Sequence, residues 1–319
     1  MTGITESIAD ESSAADTSSG ISRASSRRDS YFLIDRRISE EETQRRHSWL
    51  EKRRLSIAST RNSARLLYEV KFPDTFGGLY CAKYSPGGDI IATGFGTGAI
   101  QIRNGENGEL RTTLRSGLDT SLPVMCCRFN PIIHIYQRNE SDLTDENIDN
   151  YHRMRIFSAK FHHIYENLII TGGWDDTLRI WDRRVDGGSI KVMKGPHICG
   201  DAIDVRDTQI VTGSWVVRGS LQLWDMTAGK LIDTIVPENR PTSLDGEFLY
   251  AVQYFDGDPY GEHVLAGGSG TGALEVINIK DKKVVGHFEV SKAIMTLDSN
   301  RSSIIFGGME SIIRLADYS

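Results

Sequence analysis

Residues 167–184, Asn-Leu-Ile-Ile-Thr-Gly-Gly-Trp-Asp-Asp-Thr-Leu-Arg-Ile-Trp-Asp-Arg-Arg, constrain this chain more than any other stretch. An apolar run at Leu168–Ile170 meets a Gly-rich turn with two Asp, after which Leu178 and Ile180 alternate with Arg179 and Trp181. Alternation at period two on the far side of a tight turn predicts a β-hairpin. The form recurs at 211–225 as Val-Thr-Gly-Ser…Leu-Gln-Leu-Trp-Asp, so one hairpin ends in Trp181–Asp182 and the other in Trp224–Asp225.

These hairpins resemble the WD-repeat β-propeller family, whose blades of roughly 40–45 residues carry a Gly-rich turn and close their third strand on Trp-Asp. The resemblance covers residues 66–319 and implies an all-β chain. Blades are read as beginning near 79, 124, 155, 200, 248 and 292, which gives six. The second is degenerate: after 132–137, residues 138–152 are acidic, without β character, and lack the turn and the Trp-Asp strand. Six blades with one degenerate, or an imperfect seven-bladed ring that has lost part of a blade, both fit. The last blade offers three strands over 292–317, and Leu66–Phe72 is a strand with no hairpin partner before it. The resemblance implies that strand 66–72 pairs with the last blade and fastens the ring.

The resemblance also implies residue roles. Thr171, Asp175 and Trp181 stand where the family's structural hydrogen-bond set would sit. His197 occupies the loop-His position for the following blade, whose strands offer Thr212 and Trp224. Trp215-Val-Val-Arg replaces the expected Asp in that blade's turn, and Trp-Asp becomes Arg103-Asn104, Ile277-Asn278 and Ala316-Asp317 elsewhere. Trp181-Asp182-Arg183-Arg184 carries Trp-Asp-Xaa-Arg, by which some propellers resemble substrate receptors of cullin-RING ubiquitin ligases. Arg184 would then meet the adaptor. The Arg-Arg pair lacks the flanking Phe and Gly of phosphoinositide-binding propellers, since Asp182 and Val185 stand there.

Residues 1–65 have a different texture. The first thirty are rich in Ser, Thr, Ala and Asp and cannot bury enough surface to offset chain entropy, which predicts a disordered arm. Arg-Arg-Xaa-Ser then occurs four times, ending at Ser30, Ser39, Ser48 and Ser56. That form resembles the substrate motif of basophilic kinases and predicts phosphorylation, with 14-3-3-type readers as partners. Ser39 with Glu42 has capping-box spacing, and Glu41–Arg45 and Glu42–Arg46 are i,i+4 pairs, which predicts a short helix over 39–57, marginal on its own. Residues 20–65 hold 12 Lys/Arg against 6 Asp/Glu, and residues 66–319 hold 25 against 33, so a basic arm precedes an acidic body.

The remaining motifs point away from chemistry. Gly94-Phe-Gly-Thr-Gly-Ala and Gly268-Ser-Gly-Thr-Gly-Ala look like phosphate loops, but alternating strand follows where a helix is needed, so both read as hairpin turns. His162-His163 have no partner at ligand spacing, and Asp256-Gly-Asp-Pro-Tyr-Gly lacks the bidentate Glu of a calcium loop. No Gly-Xaa-Ser-Xaa-Gly elbow or carboxylate pair stands out. Cys81, Cys126, Cys127 and Cys199 show no CxxC spacing and read as small buried thiols of a reducing compartment. No basic region leading into an apolar core opens the chain, and no apolar run reaches the roughly 18–20 residues of a membrane helix. The expectation is a non-catalytic interaction scaffold of the cytoplasm or nucleus, with no cofactor and no metal. Its partners are other proteins, not nucleic acid or membrane.

Overall fold

The structure, a computed structural model, describes residues 64–117, 122–125, 127–129, 150–165, 167–240 and 246–319. They form four-stranded antiparallel sheets. The first holds β2 (Leu79–Tyr84), β3 (Ile90–Phe95), β4 (Ile100–Asn104) and β5 (Leu110–Arg115). The second holds β6 (Ile156–Phe161), β7 (Leu168–Gly173), β8 (Thr177–Asp182) and β9 (Lys191–Lys194). The third holds β10 (Ile203–Arg206), β11 (Gln209–Gly213), β12 (Leu221–Asp225) and β13 (Lys230–Ile235). The fourth holds β14 (Leu249–Tyr254), β15 (His263–Gly268), β16 (Ala273–Asn278) and β17 (Lys283–Glu289). The fifth is built from β18 (Ile294–Asn300), β19 (Ser303–Gly308), β20 (Ile312–Tyr318) and β1 (Ala64–Lys71), in the spatial order β1-β20-β19-β18. Glu69 on β1 accepts from Arg314 Nε on β20 at 2.8 Å. The phosphorylation candidates Ser30, Ser39, Ser48 and Ser56 and the helix expected over 39–57 lie outside the described residues.

The first strands of successive sheets from the second round to the first pack in series: β6 with β10, β10 with β14, β14 with β18, β18 with β2. These inner strands are flanked on both faces, so β2, β14 and β18 are buried almost throughout, while the outer strand β5 is exposed along its length. Apolar clusters lie between consecutive sheets. One joins the third to the fourth through Leu223, Val252 and Ile277, and another joins the fourth to the fifth through Leu274, Phe288 and Phe306. A third joins the fifth to the first, and a fourth joins the second to the third around Trp224.

Among the described residues the propeller has five four-stranded blades, where the sequence predicted six or an imperfect seven. The blade expected from 124 explains the difference. Val124 donates its N–H to Phe95 O at 3.0 Å, as Leu249 donates to Ser214 O at 3.1 Å where the fourth sheet begins. A Cβ placed on Gly94 would sit 2.6 Å from Val124, matching Gly267 with Ile294 and Gly307 with Leu79, each 2.7 Å. Residues 124, 125, 127 and 128 therefore stand where the other blades place the start of an inner strand. An inner strand becomes a sheet only if a neighbour takes its backbone hydrogen bonds. The described residues of this segment have no ladder partner, and residues 130–149, which would supply one, lie outside the described part. Ile156 and Phe161 on β6 are half-exposed on this side of the ring, each at 51%.

Candidate functional site

The Trp-Asp hairpin of the second sheet is locked by side chains. Trp181 Nε1 donates to Thr171 Oγ1 at 2.7 Å, and His152 Nε2 lies 2.7 Å from the same hydroxyl. His152 Nδ1 meets Asp175 Oδ2 at 2.9 Å, and Asp175 also accepts from Thr177 Oγ1. Thr171, Asp175 and Trp181 thus come together around His152, which the sequence reading had placed at the end of an acidic loop. Its only signal was a His preceding the hairpin. In the third sheet Trp224 Nε1 donates to Thr212 Oγ1 at 2.9 Å. His197 is turned the other way: its Nδ1 lies 2.6 Å from Asp176 in the preceding blade's turn, because no Asp follows Trp215 to draw it toward Thr212. Arg184 donates through Nε at 2.9 Å and Nη2 at 2.6 Å to Asp182, two residues back. That guanidinium, hydrogen-bonded to the carboxylate, holds Asp182 down to about 2. An adaptor using Arg184 would compete with this ion pair.

Strand register places a layer of polar side chains at the centre of the ring. Counting from the first residue of each inner strand, the fifth residues are Lys83, Lys160, Gln253 and Asp298, paired with Ala92, Ile170, Leu265 and Ile305. Asp204, opposite Val211, holds the same register in the third sheet. Arg128 is the fifth residue counted from Val124. Lys160 Nζ reaches Asp204 at 2.9 Å. Lys83 Nζ reaches Asp201 at 2.7 Å and Leu297 O at 2.7 Å, with Asp298 at 3.9 Å. Arg128 grips both oxygens of Asp201, one at 3.0 Å, and Ser158 Oγ donates to it at 3.2 Å. The inner carboxylates also bind backbone of the next blade: Asp298 accepts from Tyr84 N and Asp204 from Tyr254 N.

These charges hold one another charged. Burial opposes the charge on Asp201, but Lys83 and Arg128 overcome it and bring the carboxyl far below its usual range. Burial likewise opposes Lys83, and the carboxylates of Asp201 and Asp298 raise it nonetheless. Groups driven this way do not exchange protons near neutral pH, whereas a general acid or base needs a pKa close to the working pH.

Above this layer lies an aromatic rim, created by β-bulges. The ladder skips one residue near the start of four inner strands: Tyr80, Phe157, Tyr250 and Met295. A bulge re-aims the extra side chain, here toward the turns after β7, β11 and β19. Phe157 packs on Trp174 with ring centroids 5.0 Å apart, and the Arg155 guanidinium lies 5.7 Å from the Trp174 ring. Trp174 Nε1 donates to Cys199 Sγ at 3.1 Å, and Trp215 Nε1 donates to Tyr250 OH at 2.8 Å. Trp174 and Trp215 lie at the start of the turns after β7 and β11 in adjacent sheets, and both are half-buried. The corresponding residue in the fifth sheet, Met309, and the Tyr80 ring both border Gly78, within 4 Å of where its Cβ would stand.

The remaining sequence candidates serve the fold. His162 uses both ring nitrogens: Nε2 donates to Asp207 O at 2.7 Å, and Nδ1 accepts from Ile164 and Tyr165 N–H. Asp258 in the acidic loop accepts from Tyr260, Glu262 and His263 N–H. Among the described residues no group of three or more His, Cys, Asp or Glu is placed to hold a metal ion.

The family model described as "WD domain, G-beta repeat" matches residues 150–182, a span that opens beside His152 and ends on Trp181-Asp182. Protein tipD of Dictyostelium discoideum is 24% identical over 178 residues, which are 52% of this chain and 28% of that protein. The chain thus matches little more than a quarter of that relative's length. The crystal structure of the WD40 β-propeller domain of Doa1 superposes with a TM-score of 0.42 at 14% identity, over 72% of this chain and 60% of that one. The chain therefore carries one stretch, residues 150–182, that matches the WD repeat, its Trp-Asp hairpin closed by His152, Asp175 and Thr171, within a β-propeller of four-stranded blades.

Proposed function

We propose that the protein is a non-catalytic interaction scaffold that binds other proteins through the rim around Trp174 and Trp215. The observation that carries this reading is the pairing of those two side chains. They sit at equivalent turns of adjacent blades, each half-buried and held by a hydrogen bond, with the exposed Arg155 beside Trp174. Trp, Tyr and Arg in such settings dominate binding energy at protein interfaces, because they bring large area at low entropic cost. The central layer supports a structural part, since its charges neutralise one another. Capture of cellular proteins by the full chain tests the reading. Proteins retained by the wild type should be lost with Trp174→Ala/Trp215→Ala and kept with Tyr260→Ala, a substitution of an 83% exposed residue. If the folded double variant retains the same proteins, the rim is not the docking surface.

The proposal extends to the basic arm on its sequence pattern alone. Ser30, Ser39, Ser48 and Ser56 would be modified by a basophilic kinase in the cytoplasm or nucleus and read by 14-3-3-type proteins. Site mapping after kinase treatment tests this independently of the rim. Four unmodified serines would end it.

A further inference from the structure

Residues 124–128 bring a second group to the ring besides Arg128. In the fifth sheet the residue after the bulge, Thr296, accepts the N–H of Ala82 from the next inner strand at 2.8 Å. In the first sheet the same position is Cys81, whose Sγ accepts the N–H of Cys127 at 2.7 Å. The Cys81 thiol also points back to Cys127 O at 3.9 Å. Cys127 therefore faces Cys81 as Ala82 faces Thr296. Both cysteines carry thiols, and the Cys81 sulfur is seated on the backbone of Cys127. Cys81 is buried and Cys127 half-buried.

We propose that Cys81 and Cys127 are an oxidative modification site, in which a peroxide converts the two thiols to a disulfide that staples residues 124–128 to β2. The oxidant is a hydroperoxide, and hydrogen peroxide suffices. Cys127 sulfur attacks one peroxide oxygen; the O–O bond breaks, and the departing hydroxide takes the thiol proton as water. Cys127 is then a sulfenic acid. Cys81 sulfur attacks that sulfur, the S–OH bond breaks, and the hydroxyl leaves with the Cys81 proton as a second water. Two sulfurs lose one electron each and the peroxide gains two.

The surroundings assign the roles. The Cys81 thiol's hydrogen bond lowers the pKa of Cys127, and Arg128 and Lys83 lower it further against burial. The same hydrogen bond and burial raise that of Cys81. The thiolate is the nucleophile, so the half-exposed Cys127 reacts first and the buried Cys81 resolves. The bond would span 46 positions of chain and hold Arg128 against Asp201.

The full-length protein is treated with hydrogen peroxide, alkylated and digested with trypsin, which yields a 72–83 peptide with Cys81 and a 116–128 peptide with Cys126 and Cys127. The expected product is these two peptides joined, with fragment ions placing the bond on Cys127. Cys126→Ser should leave the crosslink intact. Cys81→Ser should leave a sulfenic acid on Cys127, trapped by a 1,3-dione. The wild-type digest decides the matter without any substitution. A bond on Cys126, a sulfinic acid on Cys127 with no crosslink, or unchanged thiols would each overturn the proposal.

Discussion

Thr171 is the residue through which the second blade is tied together, because its hydroxyl serves Trp181 and His152 at once. Thr171→Val keeps the shape and removes both bonds, leaving an indole N–H and an imidazole nitrogen short of a partner. A loss of about 1–3 kcal/mol is expected from such orphaned polar groups, measured as a lower denaturant midpoint. Thr212→Val in the third blade should lose less, since among the described residues Trp224 is the one side chain bonded there. His152 adds a pH dependence. Burial lowers its pKa below the ordinary 6.5, against the opposing pull of Asp175. The unfolded chain then binds the proton more readily, so stability should fall as pH drops through about 6.5 toward the folded value. His152→Gln should flatten that limb; an unchanged slope would show that the proton goes elsewhere.

Strand β1 shows what one element contributes to closure. It supplies the outer strand of the fifth sheet from the opposite end of the described chain, with Ala64 opposite Tyr318 and Lys71 opposite Ile312. Without it the edge of β20 is open, and an unpaired edge is a template for another chain. A chain that begins at Pro73 should therefore self-associate in light scattering, and one that begins at Ser63 should remain monodisperse. Equal behaviour would show that β20 does not need this neighbour. The inner strands were legible in the same way. Leu79, Ile156, Leu249 and Ile294 each open a mostly apolar segment four residues ahead of a polar or charged side chain, and that offset could have revealed Lys83, Lys160, Gln253 and Asp298 as a set. The bulges were not legible, because a bulge is a mismatch between two strands and belongs to neither sequence alone.

At the scale of the ring, charges from separate blades converge on Asp201, so its removal should be felt throughout. Asp201→Asn leaves the buried Lys83 with Asp298 at 3.9 Å as its remaining carboxylate and the half-buried Arg128 without Asp201, and breaking one side of such a cluster costs up to about 3–5 kcal/mol. The sign of the pH dependence follows from the shifts. Asp201 titrates below its ordinary 3.8, so its contribution is present above that value and lost as pH falls toward the folded pKa. Lys83 titrates above its ordinary 10.5, so its contribution is present below that value and lost as pH rises through the folded pKa. Denaturant midpoints should show both limbs in the wild type. The acid limb should be shallower in Asp201→Asn.

The sequence by itself determined the hairpins, their Trp-Asp ends and the starts of the inner strands, including Val124, because alternation, turn glycines and apolar runs are local properties of the chain. Only the tertiary structure decided that the described chain forms five complete blades. An inner strand does not become a sheet until other strands take up its hydrogen bonds, and whether they do is not written in its own residues. The tertiary structure also decided the contents of the centre. Lys83, Arg128, Asp201 and Asp298 come from distant parts of the chain, and each is an unremarkable charge in its own segment. They neutralise one another because the packing of successive sheets brings the inner strands and residues 127–128 within ion-pair distance of Asp201.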